Sequence, residues 1–282
     1  MKDDTQSCLW QGFTHFKPLE LLDKRLFIFT GKGGTGKTSL SLAWAKYLIK
    51  KRRKVLLNDI GQNFDFELRR TLNIPYLNLD LKTCMQDYMA HKLGSHIISN
   101  WIMDTSFFKS LFKILPSLGY ITYLGKIIKT LQEDKSLSVV IDAESSGHAL
   151  TMLESPFNFK DIFLSGLLVE DLHLIINYLS NKNNTAIFTI CNPNIMSITE
   201  TQELMSQISN LGISEVCPII NNSYYKTGIN TPPDFLKKKI NLEKKSVQDT
   251  GFQEVISLPH LLELEDVKIV NELTHQLKEM MI

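Results

Sequence analysis

The sequence predicts an α/β fold: a mostly parallel, doubly wound sheet with an all-helical insertion. Short apolar runs alternate with segments of helical periodicity, which is typical of a parallel sheet covered by helices on both faces. The runs are almost continuously apolar, as strands buried on both faces should be. The predicted strands are Arg25–Thr30, Lys54–Asn58, Leu137–Asp142, Asp161–Leu167, Thr185–Ile190 and Glu215–Asn221, and the clearest predicted helix is Met196–Leu211. Because ligands of such sheets bind at the carboxyl ends of the strands, functional side chains are expected there.

The chain is interpreted as a leading segment followed by one domain. Residues 1–24 form an N-terminal extension, and residues 25–282 form the domain. Within the domain, residues from about 68 to 133 show no clear strand and are rich in apolar side chains at helical spacing, which predicts the all-helical insertion. Aromatic and methionine side chains in this insertion line either a groove for an apolar client or an ordinary core between helices, and the spacing fits both.

Composition excludes several classes of partner. Apolar residues make up 43% and charged residues 22% of the 282 residues, which is ordinary for a soluble globular protein. The net charge of +1 gives no bulk electrostatic reason to expect a nucleic acid or an anionic membrane as a partner, and no nucleic-acid partner is predicted. The lysine runs at 237–239 and 244–245 are interpreted as a solvated helix face.

The cysteines and the termini bear on the compartment. Cys8, Cys84, Cys191 and Cys217 are scattered and form no C-x-x-C pair, so no zinc site is expected. Scattered thiols fit a reducing cytosol. The acidic N-terminus lacks the apolar core of a signal peptide, and no apolar stretch reaches the roughly 18 residues that span a membrane. A cytoplasmic protein is therefore predicted.

A glycine-rich loop separates the first predicted strand from a segment of helical spacing. From Gly31 it reads Gly-Lys-Gly-Gly-Thr-Gly-Lys-Thr, which fits the phosphate-binding motif G-x-x-x-x-G-K-[ST]. Glycines let successive N–H groups face phosphate oxygens, and the following helix directs its positive end at the same anion. Lys37 is expected to reach the β- and γ-phosphates, and the Thr38 hydroxyl to bind Mg²⁺. The predicted phosphate-binding residues are Gly33, Gly34, Thr35, Gly36, Lys37, Thr38 and Ser39. The alternative is a glycine-rich turn with a solvated lysine.

Two aspartates stand at the ends of predicted strands, where a nucleotide site needs carboxylates. Asp142 follows four apolar positions, the arrangement of an acid that holds Mg²⁺ through water. Asp59 ends the second predicted strand and is predicted to orient the water that attacks the γ-phosphate. Either side chain could instead cap the helix that follows it.

The loop contains a second lysine, Lys32, and with it resembles the signature of the ArsA-type ATPases, the deviant Walker A family related to MinD and ParA. In that family the early lysine reaches across a dimer interface to the partner's nucleotide. The resemblance therefore implies a homodimer in which Lys32 acts in trans on ATP, much as an arginine finger does. The alternative is one more basic residue near a triphosphate.

Three later segments carry the same resemblance. Residues 142–150 are similar to the family's switch II pattern D-T-A-P-T-G-H-T-L, with Gly147 and His148 in register, although Glu144 and Ser145 replace its Ala and Pro. His148 is interpreted as a structural hydrogen-bond partner in the switch rather than a base. Residues 59–63 stand where the family has D-P-A-H-[SN], with Asn63 in register as a switch I residue. Residues 191–201 resemble the segment after the fifth core strand.

Asn221 ends the last predicted strand in a segment that resembles the family's adenine-reading strand. A carboxamide pairs with adenine N6 and N7, and no Asn-Lys-x-Asp motif for guanine is present, so ATP is favoured. The alternative is that Asn221 is a turn residue that ends the strand.

The resemblance covers roughly residues 25–265 and implies an ATP-hydrolysing nucleotide switch. Closure of a homodimer around ATP and Mg²⁺ would move the helical insertion. The insertion would bind a client such as a hydrophobic helix or a membrane-associated protein. The alternatives are a targeting chaperone whose slow ATPase is a timer, a MinD/ParA-like positioning ATPase, and, more weakly, a metal-oxyanion pump subunit. For the positioning ATPase a C-terminal amphipathic membrane helix is expected, whereas the tail from 263 to 282 is interpreted as a packed final helix.

Overall fold

A computed structural model describes residues 21–60, 66–97, 104–106, 116–162, 167–252 and 255–280. These residues form an α/β fold around a six-stranded parallel sheet with strand order β2-β3-β1-β4-β5-β6. The strands are β1 (Leu26–Gly31), β2 (Lys54–Asn58), β3 (Leu137–Ser145), β4 (Thr185–Cys191), β5 (Val216–Ser223) and β6 (Ile256–Pro259). The predicted fold class is confirmed. The predicted N-terminal extension lies almost entirely outside the described residues.

The central strand β1 explains why the predicted strands are continuously apolar. It is hydrogen-bonded to β3 on one side and to β4 on the other, and all six of its residues are buried. Leu26 and Ile28 belong to the hydrophobic cluster on one face of the sheet, whereas Phe27 and Phe29 belong to the cluster on the other. Because side chains alternate along a strand, both faces require apolar residues.

Helices cover both faces of the sheet. They are α1 (Lys37–Lys50), α2 (Phe66–Leu72), α3 (Leu81–Leu93), α4 (Pro116–Glu133), α5 (Ser146–Ile162), α6 (Leu167–Ser180), α7 (Ile195–Asn210), α8 (Asp234–Asp249) and α9 (Asp266–Met280). On one face Trp44 of α1 packs edge-on against Phe27, and α9 packs on α1. Residues of α4, α5, α6 and α7 bury the other face. In the part of the chain that the structure describes, no helix is long and apolar enough to cross a bilayer.

The predicted strand at Asp161–Leu167 is wrong. Asp161 lies in the last turn of α5 and Leu167 begins α6, while residues 163–166 are outside the described residues. A short apolar run is compatible with a buried strand or with the buried part of a helix. Here both ends of the run continue the helical pattern of the residues that flank it. The sequence also missed β6, a four-residue edge strand that ends in proline, which an edge tolerates.

The region predicted as a helical insertion joins β2 to β3. Its described residues form α3, α4 and most of α2, and Tyr76 makes an isolated parallel bridge with Leu57. The inner face of α4, including Tyr123 and Ile127, is fully buried and belongs to the main core, which fits the core interpretation for this helix. Residues 98–103 and 107–115 lie outside the described part, so the groove interpretation and the boundaries 68–133 stay predictions.

Candidate functional site

The glycine-rich loop connects β1 to α1 and requires glycine at two positions. Gly36 has φ +88°, and a Cβ there would lie 2.3 Å from Asn221 Nδ2. A Cβ on Gly31 would lie 2.2 Å from the carbonyl oxygen of Ile190. Around Gly33 and Gly34 a Cβ would meet no described atom within 4 Å, so this side of the loop is open to a ligand.

Lys37 begins α1 and closes the loop on itself. Its Nζ donates to the carbonyl oxygen of Lys32 at 3.2 Å, and the hydroxyl of Thr35 donates to the same oxygen at 2.9 Å. Burial lowers the pKa of the Lys37 ammonium, and the nearby charge of Asp142 opposes that shift. The ammonium therefore lies half-buried at the positive end of α1, where a phosphate would compensate it.

Thr38 and Asp142 meet beside this ammonium. The Thr38 hydroxyl donates to Asp142 Oδ2 at 2.6 Å. Asp142 is buried, and its second oxygen, Oδ1, has no hydrogen-bond partner among the described residues. A hydroxyl and a carboxylate are the hard oxygen donors that Mg²⁺ prefers, and a bound cation would compensate the orphaned oxygen. The residues present therefore fit the metal that the sequence implies.

Asp59 follows β2 and is fully buried. It accepts a hydrogen bond from the hydroxyl of Tyr76, and burial and this bond raise the pKa of Tyr76. The guanidinium of Arg69 lies over the Tyr76 ring, 3.9 Å from its centroid. Asp59 is thus held by a side chain from the segment between β2 and α3, and Tyr76 is a site residue that sequence reasoning missed.

The residues on either side of Asp59 are constrained by hydrogen bonds or by their backbone conformation. Asn58 is buried, donates to the carbonyl oxygens of Leu77 and Leu79 at 2.7 and 2.9 Å, and accepts from the Tyr123 hydroxyl at 2.5 Å. Ile60 has φ +55°, a conformation in which a β-branched residue is strained. An asparagine inside an apolar strand was the signal that could have found this network. Asn63 lies outside the described residues.

The segment predicted as switch II begins where β3 passes into α5. Gly147 is in the first turn of α5, and His148 Nδ1 lies 3.3 Å from Glu144 Oε2 on the surface. Glu144, which departs from the family pattern, therefore serves as the partner of His148. This contact agrees with the structural interpretation of His148.

Lys32 extends away from its own loop. Its Nζ lies 2.6 Å from Glu200 Oε1 of α7, and the two side chains are 54% and 43% exposed. Lys32, Gly147 and Glu200 line one shallow depression of about 240 Å³. Sequence reasoning placed Glu200 in a family-like segment but assigned it no role.

Asn221 connects β5 to the phosphate loop. Its Nδ2 donates to the carbonyl oxygen of Thr35 at 2.9 Å, and the side chain is buried. A cleft of about 490 Å³ lies at the carboxyl ends of β4 and β5. Its lining includes Asn222, the residue after Asn221, and Tyr224. Tyr224 stacks on His260 there, with ring centroids 4.3 Å apart.

The structure thus brings together the loop, Asp142 and Asn221 by direct contacts, and Asp59 contributes to the electrostatics of Asp142. A sequence model described as "Anion-transporting ATPase" matches residues 24–167 and 166–279 of this chain. The chain belongs to the anion-transporting ATPase family. The resemblance that the motifs carry is therefore confirmed, and as a member of this family the protein is an ATPase that binds and hydrolyses ATP.

Relatives of this ATPase come from several organisms. The chain is 25% identical to the "ATPase ASNA1 homolog" of Plasmodium berghei over 85% of its own length and 73% of that protein. It is 23% identical to the "Putative arsenical pump-driving ATPase 2" of Aquifex aeolicus, over 84% of this chain and 93% of the relative. With "ATPase GET3" of Podospora anserina it shares 22% identity, over 71% and 74% of the two chains.

Replacing Asp142 by asparagine is expected to weaken the pH dependence of this ATPase's stability. Burial raises the pKa of Asp142 to about 7 from an ordinary value of 3.8, although the Thr38 hydroxyl and Lys37 oppose the shift. Between these values the folded state binds the additional proton, so the stability it contributes is lost as pH rises from about 4 through about 7. Melting temperatures of the metal-free, nucleotide-free protein at about pH 5 and pH 8 should therefore fall less for Asp142→Asn than for wild type. An equal fall in both proteins would contradict the assignment.

Proposed function

We propose that the protein is a nucleotide-gated homodimer in which Lys32 of each subunit contacts the ATP of the other. The observation that carries this proposal is the direction of Lys32. The loop closes with Lys37 and Thr35 on the Lys32 carbonyl, so the Lys32 ammonium is left to contact Glu200 on the surface. An exposed ion pair of this kind contributes about 0–1 kcal/mol, so a partner's triphosphate would readily compete for the ammonium.

Within one subunit the described contacts support a division of roles for hydrolysis. Lys37 would neutralise the β- and γ-phosphates, and Thr38 and Asp142 would hold Mg²⁺, with Asp142 acting through water. When bound, Mg²⁺ neutralises the charge that develops on the phosphate oxygens. Asp59 would orient the attacking water, and the residue after it, Ile60, has a strained backbone.

Adenine remains the base that we propose. The Asn221 carboxamide donates to the carbonyl oxygen of Thr35, so a hydrogen bond joins β5 to the phosphate loop. The cleft at Asn222 and Tyr224 offers room of about 490 Å³ at the carboxyl ends of the strands. A base bound there would lie in the region where open parallel sheets bind ligands.

We further propose that dimer closure moves a client-binding surface in the segment 68–133, in a cytoplasmic protein. One relative is named an arsenical pump-driving ATPase, but the thiols of this chain do not favour an oxyanion site. Cys84, Cys191 and Cys217 are buried, and burial raises the pKa of each to about 12, which suppresses the thiolate form that binds soft ions. A hydrophobic client, as a targeting factor would carry, is the better fit.

The final helix, α9, does not favour the positioning-ATPase alternative, which expects a C-terminal membrane helix. The C-terminal helix α9 packs its apolar side, including Val270, Leu273 and Leu277, in the same buried cluster as α1. A membrane anchor formed by that helix would have to leave the core, at the expense of this burial.

A mixing experiment tests whether Lys32 acts in trans. Lys32→Ala and Asp59→Asn should each lose most ATPase turnover as pure proteins. In a mixed dimer, one site combines the intact Asp59 of one subunit with the intact Lys32 of the other. Random mixing of equal amounts should therefore restore about a quarter of wild-type turnover, because half the dimers are mixed and each has one complete site.

The controls separate dimerisation from binding. Lys32→Ala should still bind a fluorescent adenine nucleotide but should show less ATP-dependent dimer in sedimentation velocity, whereas Lys135→Ala, at an exposed site, should behave as wild type. No recovery on mixing would mean that Lys32 acts in its own subunit. A sedimentation coefficient that ATP does not change would contradict the proposal that ATP closes a dimer.

A further inference from the structure

Helix α8 has one buried face and one exposed face of unusual composition. Leu236, Glu243, Ser246 and Val247 face the protein and are buried. The exposed positions are Asp234, Phe235, Lys237, Lys238, Lys239, Asn241, Leu242, Lys244, Lys245, Gln248 and Asp249. The exposed face therefore combines five lysines and two large apolar side chains with one aspartate at each end of the helix.

The two apolar side chains occupy the same line along the helix. Phe235 is 74% exposed and Leu242 is 66% exposed. They are seven residues apart, close to two helical turns, so they project in nearly the same direction. Lys238 and Lys245 are each three residues further on and flank them. A merely solvated helix face explains the lysines but leaves Phe235 and Leu242 without a reason to be apolar.

Most of the positive charge on this face is not neutralised by neighbours. Lys237 pairs with Asp234 at 3.0 Å, and Lys239 lies over the Tyr224 ring at 3.9 Å. No carboxylate of the described residues lies within 4.0 Å of Lys238, Lys244 or Lys245. Since the whole chain carries only +1, this charge is a local concentration.

The one carboxylate in the middle of the helix is directed inward. Glu243 is buried, and its Oε2 accepts the backbone N–H groups of Tyr224 and Tyr225 at 2.8 and 3.2 Å. Its negative charge is thereby committed to the short 3₁₀ turn that follows β5. The outer surface of α8 is left strongly basic.

We propose that α8 docks this protein on a membrane surface that contains anionic phospholipids. The lysines would contact lipid phosphates, while Phe235 and Leu242 enter the boundary between headgroups and acyl chains. Long lysine side chains can extend to the headgroups beside an inserted apolar residue. A lipid surface fits better than an acidic peptide because Phe235 and Leu242 stand on the convex crest of a helix, whereas peptides bind in grooves or at sheet edges. The proposal goes beyond the ATPase cycle and does not depend on Lys32 acting in trans.

Vesicle flotation tests the charge requirement. The wild-type protein should float with vesicles of phosphatidylcholine in which about one lipid in three is phosphatidylserine, and should not float with pure phosphatidylcholine. Binding should fall as salt rises from about 0.1 to 1 M, because the screening length decreases from about 10 to 3 Å.

Two variants and a matched control locate the surface. The triple change Lys238→Glu, Lys244→Glu and Lys245→Glu should lower the partition coefficient by about a hundredfold or more, since each lysine near an anionic surface contributes roughly fivefold. The control Lys82→Glu, Lys135→Glu and Lys278→Glu changes the net charge equally at exposed positions elsewhere and should retain most binding. Phe235→Ser with Leu242→Ser keeps every lysine and should lose binding by about tenfold or more. The circular dichroism spectrum and melting temperature of each variant should match wild type, which verifies folding.

Several outcomes would overturn the proposal. These are no flotation of the wild type with anionic vesicles, an equal loss in the matched control, and unchanged binding after Phe235 and Leu242 are replaced. Capture of the protein by a polyglutamate peptide through the α8 lysines, without flotation on anionic vesicles, would assign the surface to an acidic protein instead.

Discussion

Asp59→Asn is expected to reduce ATP turnover by about a hundredfold or more while leaving nucleotide binding nearly unchanged. Asparagine has almost the same shape, and its carbonyl oxygen still accepts the hydrogen bond that Tyr76 donates to Asp59. The substitution removes the negative charge that would polarise and align the attacking water. It leaves the phosphate loop, Lys37 and Thr38 unchanged, so the affinity for ATP should be nearly the same as in wild type. Phosphate release at saturating ATP and titration with a fluorescent nucleotide measure the two effects separately.

Tyr76→Phe is the matched control for this experiment. It removes the hydrogen bond that Asp59→Asn keeps, and it keeps the carboxylate that Asp59→Asn neutralises. If the charge of Asp59 is what matters, turnover should fall by about tenfold or less in Tyr76→Phe. Near-normal turnover in Asp59→Asn would remove Asp59 from the mechanism, and an equally severe loss in both variants would assign Asp59 a positional role instead.

The parts of the fold and site that could be predicted are those that depend on local pattern. Strand β2 occupies the predicted residues, because its three apolar residues, Val55–Leu57, are bounded by charged residues before them and by the polar pair Asn58 and Asp59 after them. The sequence also placed Thr38 and Asp142 at one predicted Mg²⁺ site, and the structure brings the two side chains into contact. Thr38 follows the loop after β1 and Asp142 lies in the adjacent parallel strand β3, so both are near the carboxyl-end edge of the sheet.

The parts that could not be predicted depend on tertiary packing. Nothing in the run at 161–167 separates a strand from the end of one buried helix and the start of the next, and the structure places Asp161 in α5 and Leu167 in α6. Likewise, the bond between Tyr76 and Asp59 crosses the segment after switch I, and the pair of Lys32 with Glu200 spans most of the domain. Side chains so distant in sequence leave no periodic signal.

Asn221 illustrates the same difference within a single residue. Its position at the end of a strand was predictable, but its donation to Thr35 depends on how closely β5 approaches the loop. That approach also explains why Gly36 must lack a Cβ. A motif fixes which residue types occur, whereas the packing of neighbouring strands decides which atoms they meet.

Lys37→Ala is expected to abolish saturable uptake of a fluorescent adenine nucleotide at concentrations that saturate the wild type. The Lys37 ammonium is half-buried, its pKa is lowered by that burial, and the partner it now has is the neutral carbonyl of Lys32. A triphosphate offers anionic acceptors in its place. Each charge-assisted hydrogen bond contributes about 1.5–3 kcal/mol, so losing two of them should weaken binding by about a hundredfold or more.

Lys46→Ala is the control because it removes the same charge from the same helix. Lys46 lies nine residues further along α1 and donates to Asn271 Oδ1 at 2.6 Å, so this change should leave uptake within about twofold of wild type. Undiminished uptake by Lys37→Ala would show that the loop after β1 does not hold the triphosphate. The trans role of Lys32 would then lose its basis as well, since the partner subunit would present no phosphate at that loop for its ammonium to reach.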